Sequence, residues 1–122
     1  MRNDTENIIV KLSFEFALQI VNFCELLEKE NKYIIAQQLL KSGTSIGANI
    51  REAQNAESKG DFIHKFKIAA KEIDETTYWL EICKASKSYP YEDKLLEDLT
   101  VISKISNKII ASSKRRASTF SN

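Results

Sequence analysis

The chain has 122 residues, 43% of them hydrophobic and 29% charged, with a formal charge of +1. This fits one folded domain and excludes a disordered chain; near-neutrality excludes a strong whole-molecule attraction to nucleic acid or membrane and leaves only local patches to act. Three glycines and one proline are too few for the turns of a sheet protein, so the chain should form a few long elements.

The first segment, MRNDTEN, is polar and acidic and lacks the apolar core of a signal peptide. No run approaches the roughly 18 apolar residues of a membrane span, so a cytoplasmic protein with no membrane partner is expected. A first helix is predicted over about 5–30, capped by Asp4 or Thr5, with Ile9, Leu12, Phe16, Ile20, Phe23 and Leu27 recurring every three or four residues. Asn31 and Lys32 break it. A second is predicted over 33–56. Ser58-Lys59-Gly60-Asp61 resembles a capping box, with Asp in place of the usual Glu, and opens a third over 59–86, with Phe62, Phe66, Ala69, Ile73, Leu80 and Cys83 inward. Pro90 suits the first turn of a fourth helix over 90–112, with Leu95, Leu99, Ile102, Ile105 and Ile109 inward. The basic tail 113–122 is expected to fray. Short connections between long helices give an all-α, antiparallel up-down-up-down four-helix bundle forming a single domain.

The second helix carries the most informative stretch, KSGTSIGANIREA (residues 41–53). Gly43 and Gly47 each cost about 1 kcal/mol in a helix interior, and what they offer in exchange is close approach of another backbone. Ser42, Ser45, Asn49 and Glu52 form a polar stripe beside them, and Ile35, Leu39, Ile46, Ile50 and Ala53 an apolar one. Three adjacent faces on one helix suggest more than one neighbour, one of which can belong to a second subunit. Replacing either glycine by leucine is expected to disrupt packing or assembly.

Catalytic groups are sparse. His64 is the single histidine, so the paired Glu-x-x-His sets of two-metal bundles cannot be built. Cys24 and Cys83 lie in apolar-periodic runs and read as buried, reduced thiols. No phosphate-binding glycine loop occurs. The expectation is a protein with no enzymatic activity, no metal and no cofactor. Asn49 and Glu75 can meet across the second and third helices, and Glu52 and Glu75 need partners if buried. With Ser42 and Ser45 they form either a ligand pocket or a network fixing helix register or a subunit interface; the structural reading is preferred.

No acid follows Asp98, whereas Lys104, Lys108, Lys114, Arg115 and Arg116 do. Acids early and bases late complement the dipole of the fourth helix, but that does not account for Lys114-Arg115-Arg116 beyond its predicted end. Lys59, Lys65, Lys67 and Lys71 are interleaved with acids and read as a solvated face. Tyr89, Tyr91 and Phe120 are the aromatic residues outside the predicted core faces, and so the candidates for stacking on bases.

Ser45-Ile46, Ala48-Asn49-Ile50 followed by Glu52, Asp61-Phe62, Phe66, Ile68-Ala69, and Glu75-Thr76 ahead of Leu80 resemble the four-helix-bundle proteins encoded in intervening sequences of 23S ribosomal RNA genes, over nearly the whole chain. The accessory protein of diversity-generating retroelements looks similar. The chain departs at Ala53, where the family often has glycine, and at Lys32-Tyr33, where it often has proline. The resemblance implies an antiparallel bundle assembling as a homopentameric ring, with a nucleic-acid role. In a pentamer the basic residues would repeat five times and form a rim of high avidity. Two readings follow: an oligomeric accessory protein that binds structured RNA or DNA through phosphates, with Arg51, Lys114, Arg115 and Arg116 as contacts, or a protein-interaction scaffold with no nucleic-acid role.

Overall fold

The computed structural model describes the backbone of residues 3–121 and the side chains of residues 3–116. It contains four α-helices and, among the described residues, no strand: α1 (Asp4–Lys29), α2 (Tyr33–Ala53), α3 (Lys59–Ala85) and α4 (Asp93–Ser121).

The helix ends follow from local hydrogen bonding. The cap of α1 is Asn3, not Asp4 or Thr5. Its side chain accepts from the Glu6 amide at 2.8 Å, and its own amide donates to the Glu6 carboxylate at 3.2 Å, satisfying two donors that the first turn leaves free. At the other end, Asn31 adopts a positive φ of 65°. The Lys32 amide donates to Leu27 O at 2.8 Å and the Asn31 amide to Glu28 O at 2.9 Å, a Schellman closure that turns the chain straight into α2. α2 ends at Ala53 instead of 56, because residues 54–56 donate to carbonyls three back and wind too tightly for an α-helix. Ser58 caps α3 by accepting from Asp61 N–H at 3.0 Å, but Asp61 reaches back to the Glu57 amide, not to Ser58.

α4 differs most from expectation. Pro90 lies in the connector, and the helix begins at Asp93. Nor does the helix stop near 112; it runs to Ser121. Leu95, Leu99, Ile102, Ser106, Ile109 and Ser113 are all buried, so the inward stripe runs on past Ile109. No Gly or Pro interrupts the sequence after Pro90, and Lys114, Arg115 and Arg116 are helical residues.

Each helix packs against two others: α1 on α2, α2 on α3, α3 on α4, and α4 back on α1. The buried side chains form one core, with Phe16, Ile20, Leu27, Leu39, Ile46, Ile50, Phe66, Leu80, Leu95, Leu99 and Ile102 almost fully covered. Each such side chain contributes about 1.5–3 kcal/mol of transfer free energy. α1 is also long and apolar enough, by length and composition, to cross a membrane. Its Ile9–Phe16–Ile20–Phe23–Leu27 stripe is spent on the core, while Ile8, Phe14, Leu18 and Val21 face outward.

The glycines of α2 face α1 within the chain. A Cβ on Gly43 would lie 2.9 Å from both Cγ1 and Cγ2 of Ile20, and one on Gly47 would lie 3.2 Å from the Ser13 carbonyl oxygen. Ile20 branches at Cβ and cannot fold away, and at Gly47 the obstacle is backbone. Gly43→Ala gains about 1 kcal/mol of helix propensity but overfills the seam, which typically costs about 1–3 kcal/mol. A lowered urea midpoint is expected for Gly43→Ala. The double variant with Ile20→Ala should lose less than the sum of the two single losses. A Gly43→Ala midpoint at or above wild type would mean that the seam opens without cost.

Candidate nucleic-acid interface

Arg51 leaves the last turns of α2, where Ile50 and Ala53 are buried and Arg51 itself is exposed. Its guanidinium lies over the Phe14 ring, 5.4 Å from the centroid, which fixes its stem without neutralising its charge. Arg51, Lys59 and Arg116 line one open groove of about 810 Å³ at the end of the bundle where α2 stops and α3 starts; Glu6 is the acid on its wall. A second groove, of about 470 Å³ between α1 and α4, is lined by Lys108, Arg115 and Arg116 beside Ile8, Ile105 and Ile109. Lys114, about 100° around the helix from Arg115, meets Lys67 of α3 instead.

The structure thus brings Arg51 and Arg116 together, puts Arg115 beside Arg116 on the adjoining groove, and aims Lys114 at α3. Lys59 and Lys67, read from sequence as part of a solvated face, join this basic end. The two lysines alternate with acids along α3, which hid them. Lys114 supplies the missing signal only once α4 is known to continue as a helix. Acids are present too: Glu52 pairs with Lys65 at 3.1 Å. The far end of α4 is acidic, where Asp98 accepts from Lys94 at 2.6 Å and from Gln19 Nε2 at 3.0 Å. These bonds hold the Asp98 carboxyl below the ordinary carboxylate range, with the lysine the larger cause.

The aromatic expectation is corrected. Tyr89 and Tyr91 are half-buried against the core. Tyr89 sits beneath the Lys32 ammonium at 4.9 Å, and the Tyr91 hydroxyl is buried. Phe120 lies outside the described side chains. Among the described residues the exposed aromatic rings are Phe14, Tyr33 and Tyr78, and of these Phe14 adjoins Arg51.

Of the polar stripe, Ser42 alone is buried. Its Oγ lies 3.0 Å from Thr76 Oγ1, which is also 2.7 Å from the Glu72 carbonyl. Thr76 has one proton, so it donates to one of these at a time. Ser45 donates to Lys41 O at 2.6 Å, and Asn49 Nδ2 donates to Ser45 O at 2.9 Å, so both bond within α2. Glu52 and Glu75 are exposed on the single chain. Glu75 acts on Glu72, whose carboxyl is raised first by burial and then by that neighbouring charge. Inside the chain the buried polar contact joining α2 to α3 is therefore a hydroxyl pair, and the carboxylate of Glu52 joins them at the surface through Lys65.

Among the described residues no three His, Cys, Asp or Glu side chains gather as a metal site, and His64 is exposed. Both thiols are buried. Burial, then Glu28 and Cys83, pushes Cys24 up to about 12, and burial pushes Cys83 up to about 11. Cys24 donates to Ala36 O at 3.3 Å. Neither carries the thiolate that nucleophilic chemistry needs.

The family model described as 23S rRNA-intervening sequence protein matches residues 5–109. The crystal structure of a protein of unknown function from the S23 ribosomal protein family of Bacteroides thetaiotaomicron is 44% identical to the chain. That match covers 88% of this chain and 98% of the other, at a TM-score of 0.83. No curated protein matches the chain.

The thiols give a direct check on core packing. Iodoacetamide at pH 7.5 is expected to modify neither cysteine in the folded protein and both in concentrated urea, read by intact mass. Fast modification of either in the folded state would show that its helix opens locally.

Proposed function

The chain belongs to the 23S rRNA-intervening sequence protein family, and on that premise we propose that it is a non-enzymatic, cytoplasmic, homo-oligomeric bundle that binds structured RNA or DNA through phosphate contacts. The observation that carries this reading is the meeting of bases from three helices at one end: Arg51 from α2, Lys59 and Lys67 from α3, and Lys114, Arg115 and Arg116 from α4. A net charge of +1 is compatible with this reading, since Glu92, Asp93, Glu97 and Asp98 lie toward the other end of α4, while Glu6, which lines both grooves, and Glu57 and Asp61, which flank Lys59, temper the basic end. Phosphate contacts of this kind position a polyanion without reading its sequence, so little base preference is expected.

The course of the helices is proposed as antiparallel, up-down-up-down. Gly43 with Ile20 and Gly47 with Ser13 between α1 and α2, and Ser42 with Thr76 and Glu52 with Lys65 between α2 and α3, support it, since positions rise in one helix as they fall in its neighbour. Assembly is proposed as a homopentameric ring. Phe14, Leu18 and Val21 of α1 and Leu40 of α2 are exposed on the single chain, and contiguous apolar surface of that kind is uncommon on a free monomer. A second copy is the occupant proposed for it. Glu75, exposed on one chain, is available to a neighbouring subunit, whereas Glu52 is already paired with Lys65.

Two experiments test the reading. In fluorescence anisotropy with a structured RNA hairpin between about 50 and 200 mM salt, the affinity should fall steeply as salt rises. Neutralising Lys114, Arg115 and Arg116 to glutamine should flatten the log–log salt slope by about 3 if each meets a phosphate. No binding at the lower salt, from protein of confirmed oligomeric mass, favours a scaffold that binds protein instead. For assembly, Leu18→Lys should lower the mass seen by light scattering while leaving the helical circular dichroism intact. An unchanged mass would move the interface off this stripe.

A further inference from the structure

The two grooves at the basic end are built of different materials. The one where α2 gives way to α3 is walled mainly by polar and charged side chains, Arg51, Gln54, Asn55 and Lys59 among them. The one between α1 and α4 combines Ile8, Ile105 and Ile109 with Lys108, Arg115 and Arg116. Ile109 is buried and Ile105 half-buried, while Ile8 on the facing wall is 50% exposed. Ile105, Lys108, Ile109 and Ser112 stand three and four apart and so share one face of α4. Lys108 lies beside the apolar strip, and Arg115 follows it by about 10 Å along the axis. Among the described residues Lys108 and Arg116 make no ion pair, whereas Lys11, Lys65, Lys84 and Lys94 each meet an acid. Glu6 is the acid on the wall, and its carboxylate accepts from the Asn3 amide. Phosphate oxygens gain nothing from isoleucine. Apolar surface held open to water between cations fits a ligand that is apolar in its middle and anionic at its flanks. An unpaired nucleotide has that character: its base can be splayed out of a bulge or loop, whereas in continuous duplex the base faces are covered by their neighbours.

We propose that the groove between α1 and α4 seats one unpaired nucleotide, with its base on Ile8, Ile105 and Ile109 and its flanking phosphates at Lys108 and at Arg115 and Arg116. The seat rests on the nucleic-acid reading above and deepens it by naming the kind of RNA bound: a helix interrupted by a bulge or loop, in preference to continuous duplex. The groove's volume of about 470 Å³ falls within the roughly 300–1,000 Å³ of small-ligand sites. Aliphatic side chains cover the face of any base, so the seat separates unpaired from paired nucleotides without selecting a sequence. Arg116 lines both grooves, so a strand leaving the seat passes directly onto the polar groove of Arg51 and Lys59.

The test uses the full chain and two fluorescein-labelled RNA duplexes of the same sequence, one fully paired and one with a single bulged nucleotide, with anisotropy followed at low salt. Wild type should bind the bulged duplex several-fold more tightly, and 2-aminopurine placed at the bulge should change its fluorescence on binding. Ile8→Asn removes the apolar wall and leaves every charge in place. It should lose the preference for the bulge while keeping the affinity for paired duplex and the salt slope. Ile8→Leu should keep the preference. Arg116→Gln should weaken both RNAs and flatten the slope by about 1. If wild type binds both duplexes equally, or Ile8→Asn still prefers the bulge, the seat is wrong and the broader reading stands. If wild type binds neither, the nucleic-acid reading falls and takes the seat with it, and a groove of isoleucines rimmed by bases points to an acidic protein segment instead. Ile8 is half-exposed, and melting by circular dichroism checks that its variants are folded.

Discussion

The close approach of α1 and α2 is the constraint on which the rest of the bundle depends. Gly43 and Gly47 remove two Cβ atoms where Ile20 and the Ser13 carbonyl would otherwise collide with them. The seam can therefore close until Ile46 and Ile50 of α2 and Phe16 and Ile20 of α1 share one core. A wider seam would lift α1 from that core and leave voids along it, which cost stability. The helix-propensity cost of two glycines, about 2 kcal/mol together, is small beside the transfer free energy of the large side chains that the closure buries.

The remaining contacts are consistent with that seam. The Schellman closure at Asn31 reverses the chain within three residues, so α2 has little freedom in where it begins. α2 then meets α3 through the Ser42–Thr76 hydroxyl pair and through surface ion pairing. α3 and α4 are joined over a longer connector in which Tyr89 and Tyr91 lie against the core. α4 returns to α1 through Gln19 and Asp98. Polar contacts here serve mainly to set register, while apolar burial supplies the larger energy, as expected when hydrogen bonds are worth about 1 kcal/mol net.

Helix number, helix type and most inward residues were legible from periodicity, because apolar residues every three or four positions leave few alternatives for Ile9, Phe16, Ile50 or Phe66. Boundaries were less legible. By residue type Asn3, Asp4 and Thr5 are all good caps, so the sequence does not single out Asn3, and a proline suits a connector as well as a first turn. The end of α4 was set too early because Ser106 and Ser113 break the apolar pattern, although both are buried. The continuation of α4 as a helix is what places Arg115 and Arg116 on the grooves at the end of the bundle. The three faces of α2 were visible in sequence, but periodicity alone could not say that the glycine face is turned to α1 of the same chain. The polar stripe was overread, since serine, asparagine and glutamate at helical spacing also describe a helix bonding to its own carbonyls.

The separation of charge along α4 bears on the polyanion contact proposed above. The helix has 29 residues, roughly 43 Å at 1.5 Å per residue, with acids at its start and bases toward its other end. In physiological salt, charges more than about 8 Å apart are largely hidden from each other by mobile ions. A strand approaching the basic end therefore does not feel the carboxylates several screening lengths away. The isoelectric point averages over a distance that no ligand samples, and it understates the attraction at the surface that arrives first. Approach is directional: end-on contact is favoured at one pole and opposed at the other, so diluting the salt would extend the reach of both poles together and need not strengthen binding without limit.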